Sequence, residues 1–237
     1  MVLATVDNRA KRNASTPNGR GRPVPAELTR KQEYLLQVAR EHFIARGFGE
    51  SSIDGIAAAT GISKMTIYRW YGSKTDLFRA VMLKLADETV MQLHNPVSDE
   101  RSLDEVLYEL AWTLYELQLK PASVALTRLM IAEAIRFPEV VRNIQVLVVK
   151  RSLSVLENYF AELGRHGVLV VDDAFRLAHQ FATLAVGSYR FLLIEAESEA
   201  AERERIRAAV ELFLRGCRGD RQATLGDSRS KRTSRRR

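Results

Sequence analysis

The sequence predicts an all-α protein. Three observations carry this. Apolar residues recur at 3.6-residue spacing over long windows. The prolines, at positions 17, 23, 25, 96, 121 and 138, fall between those windows and punctuate them. Short polar helix-start signatures, Ser51 to Asp54 and Ser73 to Asp76, precede two of them. The four-residue run Val168-Leu169-Val170-Val171 alone reads as a strand; it has no partner strand and is assigned to a linker.

The first helix is expected over 30–46, with Leu35, Val38, Ala39 and Phe43 on one face. Gly47-Phe48-Gly49 ends it, a glycine with a following apolar residue being suited to a left-handed C-terminal cap. A short helix over 52–59 buries Ile53, Ile56 and Ala57, and Thr60-Gly61-Ile62 turns the chain. Ser63 caps a third helix over 63–71, and the Ser73 box opens a fourth, with Leu77, Phe78, Val81 and Leu85 inward, ending near His94. Longer helices follow over 101–119, 121–136 and 138–163, with Pro121 at a first helical position. The last two are expected over 172–194, capped by Asp172, and 200–217.

Composition narrows the function. The 237 residues are 46% hydrophobic and 27% charged, which suffices for a buried core. A single cysteine, Cys217, excludes a disulfide framework and a multi-cysteine metal site. No stretch has the length of a membrane span and the N-terminus lacks the apolar region of a signal peptide, so a cytoplasmic protein is expected. The net charge of +7 is unevenly spread. Residues 1–30 hold six basic and two acidic residues, and 215–237 hold nine and two, so a mildly acidic body carries two basic tails. Such tails contact a polyanion or are simply solvated. A basic arm over 1–29 and a basic tail over 218–237 are read as disordered.

Residues 51–74 are the most informative. Two short helices joined by a glycine-containing turn have the length of a helix-turn-helix, about 52–71. Gly47-Phe48, Ser51-Ser52-Ile53, Ile56-Ala57, Gly61-Ile62-Ser63, Thr66-Ile67-Tyr68-Arg69, Ser73-Lys74 and Leu77-Phe78 together resemble the tetracycline-repressor (TetR) family of bacterial regulators over about 30–90. More weakly, Arg128 to Glu139 resembles one subgroup of that family's regulatory domains. The resemblance implies a DNA-binding head over 30–90 and a helical regulatory and dimerisation domain over 96–217. It also implies a dimer on palindromic double-stranded DNA and release by a small ligand. Trp70-Tyr71 departs from the His-Phe of many members; two aromatics keep the packing, and a histidine's phosphate contact is not expected.

Geometry ranks the candidate DNA contacts. With Ile67 inward, Met65 and Arg69 lie about 200° round the helix and point most directly outward, flanked by Thr66 and Tyr68. Arg69 has the guanidinium fork that matches guanine O6 and N7, a phosphate contact being its alternative. Met65 touches a thymine methyl or fills the groove. Tyr68, Lys64 and Lys74 are read as phosphate donors, and Ser52 and Ser63 as caps, phosphate donors or both. Arg20 and Arg22, around Gly21 and before Pro23, form an extended strip suited to a narrow minor groove, or else a solvated leader.

The four histidines, 42, 94, 166 and 179, have no ligand spacing, and catalytic motifs are missing, so no catalytic residue, metal or cofactor is expected. Trp112, Tyr115, Met130, Phe137, Tyr159 and Phe181 are the candidate lining of an effector pocket, though a helical core needs such residues anyway. The small residues Ala178, Ala182, Ala185, Gly187 and Ser188 point to helices 172–194 and 200–217 as the dimer contact. The reading is a cytoplasmic, nucleoid-associated repressor that responds to a small apolar or amphipathic molecule, with no membrane partner. A ligand-independent architectural DNA-binding protein is the alternative.

Overall fold

The structure, a computed structural model, describes residues 25–93, 101–187, 192 and 198–217. Arg20, Arg22, Ser188 and the C-terminal tail lie outside the described residues. Those described form α-helices joined by turns: α1 (Pro25–Glu50), α2 (Ile53–Thr60), α3 (Lys64–Tyr71), α4 (Lys74–Gln92), α5 (Leu103–Leu119), α6 (Pro121–Glu133), α7 (Pro138–Ser152), α8 (Ser154–Arg165), α9 (Ala174–Val186) and α10 (Glu199–Cys217). None is long and apolar enough to cross a membrane. Val168–Val171 is a linker, and the Val170 N–H donates to the last carbonyl of α10, on Cys217, at 2.9 Å.

Several boundaries differ from the sequence expectation. The first helix starts at Pro25 rather than 30, because proline's fixed φ and missing N–H suit a first turn. The fourth stops at Gln92, α6 stops at Glu133 rather than 136, and α9 spans Ala174–Val186, capped by Asp173 rather than the expected Asp172. The helix expected over 138–163 is two helices that meet at Leu153. The reason is packing. A straight helix offers one buried stripe, and this segment has to face two cores. Ile144 of α7 is buried with Leu35, Phe43 and Phe78, whereas Leu153 and then Leu156 and Phe160 of α8 are buried with Leu107, Phe181 and Phe213.

Those two cores do not follow the order of the chain. One joins α1–α4 to Leu126, Leu129 and Met130 of α6 and Ile144 of α7. The other is built by α5, α8, α9 and α10 around the rings of Phe160, Phe181 and Phe213, whose centroids lie 5.0–5.5 Å apart. The most extensively packed helix pair is α4 with α7. The N-terminal head is therefore completed by two helices that come after residue 120.

Candidate nucleic-acid interface

Local chemistry sets each helix of the head. Gly61 takes φ 69°, a left-handed value that places its N–H on the Ala57 carbonyl and ends α2. Ser52 caps α2 through Oγ, which accepts from the Gly55 N–H at 3.1 Å. The expected cap, Ser51, is instead buried, and its hydroxyl donates to the Gly47 carbonyl at 2.6 Å. Ser63 caps α3 by accepting from the Thr66 N–H, and Ser73 caps α4 by accepting from the Asp76 N–H.

On α3 the two faces separate as helical geometry requires. Ile67 is 1% exposed, whereas Met65 is 78% and Tyr68 39% exposed. Arg69 is exposed on the same outward side as Met65. The Thr66 hydroxyl lies 2.9 Å from that of Ser63. Lys64 pairs with Asp54 of α2 at 2.8 Å, both side chains being largely exposed; so open a pair is worth little and exchanges readily for a phosphate. Met65, Tyr68 and Arg69, with Lys64, Ser52 and Ser63 at the helix starts, thus lie on exposed surface of one helix-turn-helix. His42 of α1 packs beneath α2: a Cβ on Gly55 would meet its ring at 3.0 Å, and burial lowers the imidazole pKa, with Arg46 adding to the shift.

Lys74 is a correction. Its ammonium turns inward and donates to the carbonyls of Phe48 (2.8 Å), Gly49 (3.1 Å) and Ser51 (2.9 Å), 4.6 Å from the centre of the Phe48 ring. An ammonium has three N–H donors, so none is left for a phosphate. Burial pushes its pKa down, and Glu133 and Glu50 oppose that shift. Lysine at a helix start looks like an anion contact in sequence, but the turn it closes is visible only in three dimensions.

That bend gathers residues to which the sequence reading assigned no role in the head. Glu133, at the end of α6, is 7% exposed, and its Oε1 accepts from the N–H groups of Phe48 (2.9 Å) and Gly49 (3.4 Å). Phe137 sets its ring edge-on to Phe48, with centroids 5.1 Å apart, and Arg136 reaches Glu50 at 3.4 Å. A signal was available: Glu133 continues the buried face of Leu126, Leu129 and Met130 at helical spacing, and a carboxylate on an apolar face asks for a partner.

The six pocket candidates do not converge. Trp112, Tyr115, Tyr159 and Phe181 belong to the second core, whereas Met130 and Phe137 belong to the head core, where Phe137 packs on Phe48. Arg203 covers the Trp112 ring at 4.1 Å and Arg205 faces Tyr115 at 5.6 Å. The small-residue stripe is also reassigned. Ala178 (0% exposed) and Ala185 (2%) pack inside their own subunit, and Ala182 lies against the same core. Small residues let α5 and α8 approach α9 closely. The outward faces of α9 and α10 instead carry Leu177, Gln180, Leu184 and Leu212, which line an open groove of about 540 Å³.

Both halves of the chain are similar to known proteins. Residues 35–81 match the model of the bacterial regulatory proteins of the tetR family, and residues 105–216 match that of the AefR-like transcriptional repressor C-terminal domain. The HTH-type transcriptional activator FasR of Mycolicibacterium smegmatis is 34% identical over 86 residues, 36% of this chain and 38% of that protein. The HTH-type transcriptional regulator AlkX of Mycobacterium tuberculosis is 33% identical over 86 residues, 34% of this chain and 41% of that protein. The chain thus spans about two-fifths of the length of these curated relatives. Among solved structures, the flavonoid-responsive regulator FrrA is 28% identical with a TM-score of 0.68, over 80% of this chain and 97% of that one. A TetR-family regulator from Mesorhizobium loti is 25% identical with a TM-score of 0.66 over the same shares. With its head and its C-terminal helices each matched by a model of one family, the chain belongs to the TetR family of DNA-binding transcriptional regulators, which bind DNA through this helix-turn-helix and are not enzymes.

Proposed function

We propose that this regulator is a ligand-responsive repressor that binds palindromic operators as a homodimer. The observation that carries the reading is the outward face of α3, where Arg69 and Met65 stand exposed opposite the buried Ile67. In this reading α3 enters the major groove, Arg69 donates both arms to a guanine and Met65 meets an apolar base edge. Tyr68, Thr66, Lys64, Ser52 and Ser63 hold phosphates beside it, and Arg20 and Arg22 enter the adjacent minor groove.

Two copies pair through the outward faces of α9 and α10, with Leu184 and Leu212 at the centre. Leu212 is 62% exposed in the single chain, an apolar cost that pairing removes. The two heads then fall about 34–36 Å apart, one turn of DNA. The effector is a small apolar or amphipathic molecule held in the regulatory half near Trp112, Tyr115, Tyr159 and Phe181. The aromatic content there supports this, as does the likeness to FrrA, which is described as flavonoid-responsive. The domains are read as a head over 30–90 and a regulatory half over 96–217, between basic arms.

Selection of bound sequences from a random DNA pool tests the reading. A sharp two-fold site with a fixed spacing is expected. A shallow, spacing-blind preference would instead identify an architectural DNA-binding protein.

A further inference from the structure

We propose that Glu133 is a positioning residue for operator binding: its carboxylate holds the bend that follows the non-helical Gly47 near the end of α1 and so sets the angle at which the helix-turn-helix meets DNA. The inference rests on the two-headed dimer of the preceding section.

One short piece of backbone sits between two opposite charges. On its amide side, Glu133 Oε1 accepts from Phe48 and Gly49. On its carbonyl side, Lys74 donates to Phe48, Gly49 and Ser51. Each charge meets the end of the peptide dipole that it favours. The cation belongs to the head, and the anion arrives from α6, more than eighty residues further along the chain. The fit is close: a Cβ on Gly47, which already has φ 78°, would lie 2.5 Å from Glu133 Oε1.

The carboxylate is a costly way to fill this place. Glu133 Oε2 is buried and has no hydrogen-bond partner. Its neighbours on the same face, Leu126, Leu129 and Met130, are apolar, and a similar apolar side chain would extend the head core without burying a charge. What a carboxylate adds is direction. Apolar contacts tolerate sliding and tilting, whereas two N–H donors aimed at one oxygen fix both distance and angle. The same helix is anchored at its other side: Arg128 donates to the carbonyl of Leu192, between α9 and α10, at 3.2 and 2.7 Å. Arg128 and Glu133 are five residues apart, about 7.5 Å along the axis. Through α6, the head is thereby referenced to the helices that carry the second core.

The test uses the full chain and operators selected by the wild type, with the native spacer and with spacers changed by one base pair. Glu133→Leu keeps roughly the volume and removes the acceptor; Glu133→Gln keeps an oxygen in reach of the amides. The Leu variant is expected to stay folded and dimeric and to bind the native operator about tenfold more weakly. It is also expected to lose most of the discrimination between native and altered spacers, because a loosened head adapts to either. The Gln variant is expected to recover part of both properties. A general packing defect would weaken all operators in proportion and leave the spacing profile unchanged. Amide hydrogen exchange at Phe48 and Gly49, measured without DNA, is expected to accelerate in the Leu variant. A folded Leu variant with wild-type affinity, spacing profile and exchange would overturn the proposal. If that variant does not fold, Glu133→Asp, whose shorter chain withdraws the carboxylate, is judged by the same criteria. A wild type indifferent to spacing would overturn the two-headed dimer instead, and the clamp would then stand or fall on exchange and affinity.

Discussion

Lys74 offers a sharp test because two readings of one residue predict opposite signatures. Replacing it with Met keeps a side chain of similar length and removes the charge. The loss is three ammonium–carbonyl hydrogen bonds, at 2.8, 3.1 and 2.9 Å. A hydrogen bond to a charged group contributes about 1.5–3 kcal/mol, and less where water reaches it, as it does at this half-buried site. The three share one donor group and are not additive, so a loss of about 2–4 kcal/mol of head stability is expected. For a chain of this size that lowers Tm by roughly 5–15 °C. Thermal unfolding followed by circular dichroism measures it. Salt titrations of operator binding, run well below Tm, measure the other half. A lysine spent on backbone carbonyls contacts no phosphate, so the slope of log K against log salt is expected to stay that of the wild type. A phosphate-binding lysine would leave Tm in place and shallow the slope by about 0.9. Unchanged Tm with a shallower slope would refute the structural role assigned here.

Four further outcomes are expected. Arg69→Ala should cost about 1–3 kcal/mol of discrimination at one base position, read by repeating the site selection; an unaltered site pattern would remove Arg69 as a base reader. Leu184→Glu with Leu212→Glu should give monomers by light scattering, whereas Ala185→Glu should disturb folding within the subunit, because Ala185 is buried there. Deleting residues 1–23 should weaken binding, shallow the salt slope by about 0.9 per lost phosphate contact and relax the preference for A·T pairs flanking the half-sites; equal slopes and flanks would leave the arm a solvated leader. Asp76 has its carboxyl pKa lowered from 3.8, chiefly by the Ser73 hydroxyl and further by Arg79, against burial. The contribution of Asp76 to stability is therefore present above that ordinary value and disappears as pH falls through the lowered one. Asp76→Asn should unfold earlier at neutral pH and show a flatter acid limb in Tm against pH.

The head was legible because its determinants are local. Gly61 needs a positive φ, Ser63 and Ser73 cap the next turn, and Ile67 against Met65 and Arg69 divides a helix by periodicity alone. Each involves residues within a few positions of one another, so order along the chain suffices. The family resemblance rests on the same short-range pattern. The helix start at Pro25 and the caps on Ser52 rather than Ser51 and on Asp173 rather than Asp172 were local misses; the other departures were long-range. Lys74 as a phosphate contact, Ala185 on a subunit surface, Met130 and Phe137 as pocket lining, and one helix across Leu153 each required knowing what packs against a face, not merely that the face is apolar.

All-α architecture, the helix-turn-helix and its outward residues follow from composition, periodicity and capping, which act through backbone torsions and neighbours three or four residues away. Tertiary structure alone assigns α6 and α7 to the head core, turns Lys74 inward and brings Glu133 to the Phe48–Gly49 amides across 85 and 84 positions of sequence. An apolar stripe records that a surface is buried but not against what, because burial is non-directional and roughly proportional to area. Only the directional bonds of buried polar groups single out a partner, and those partners are chosen by the fold.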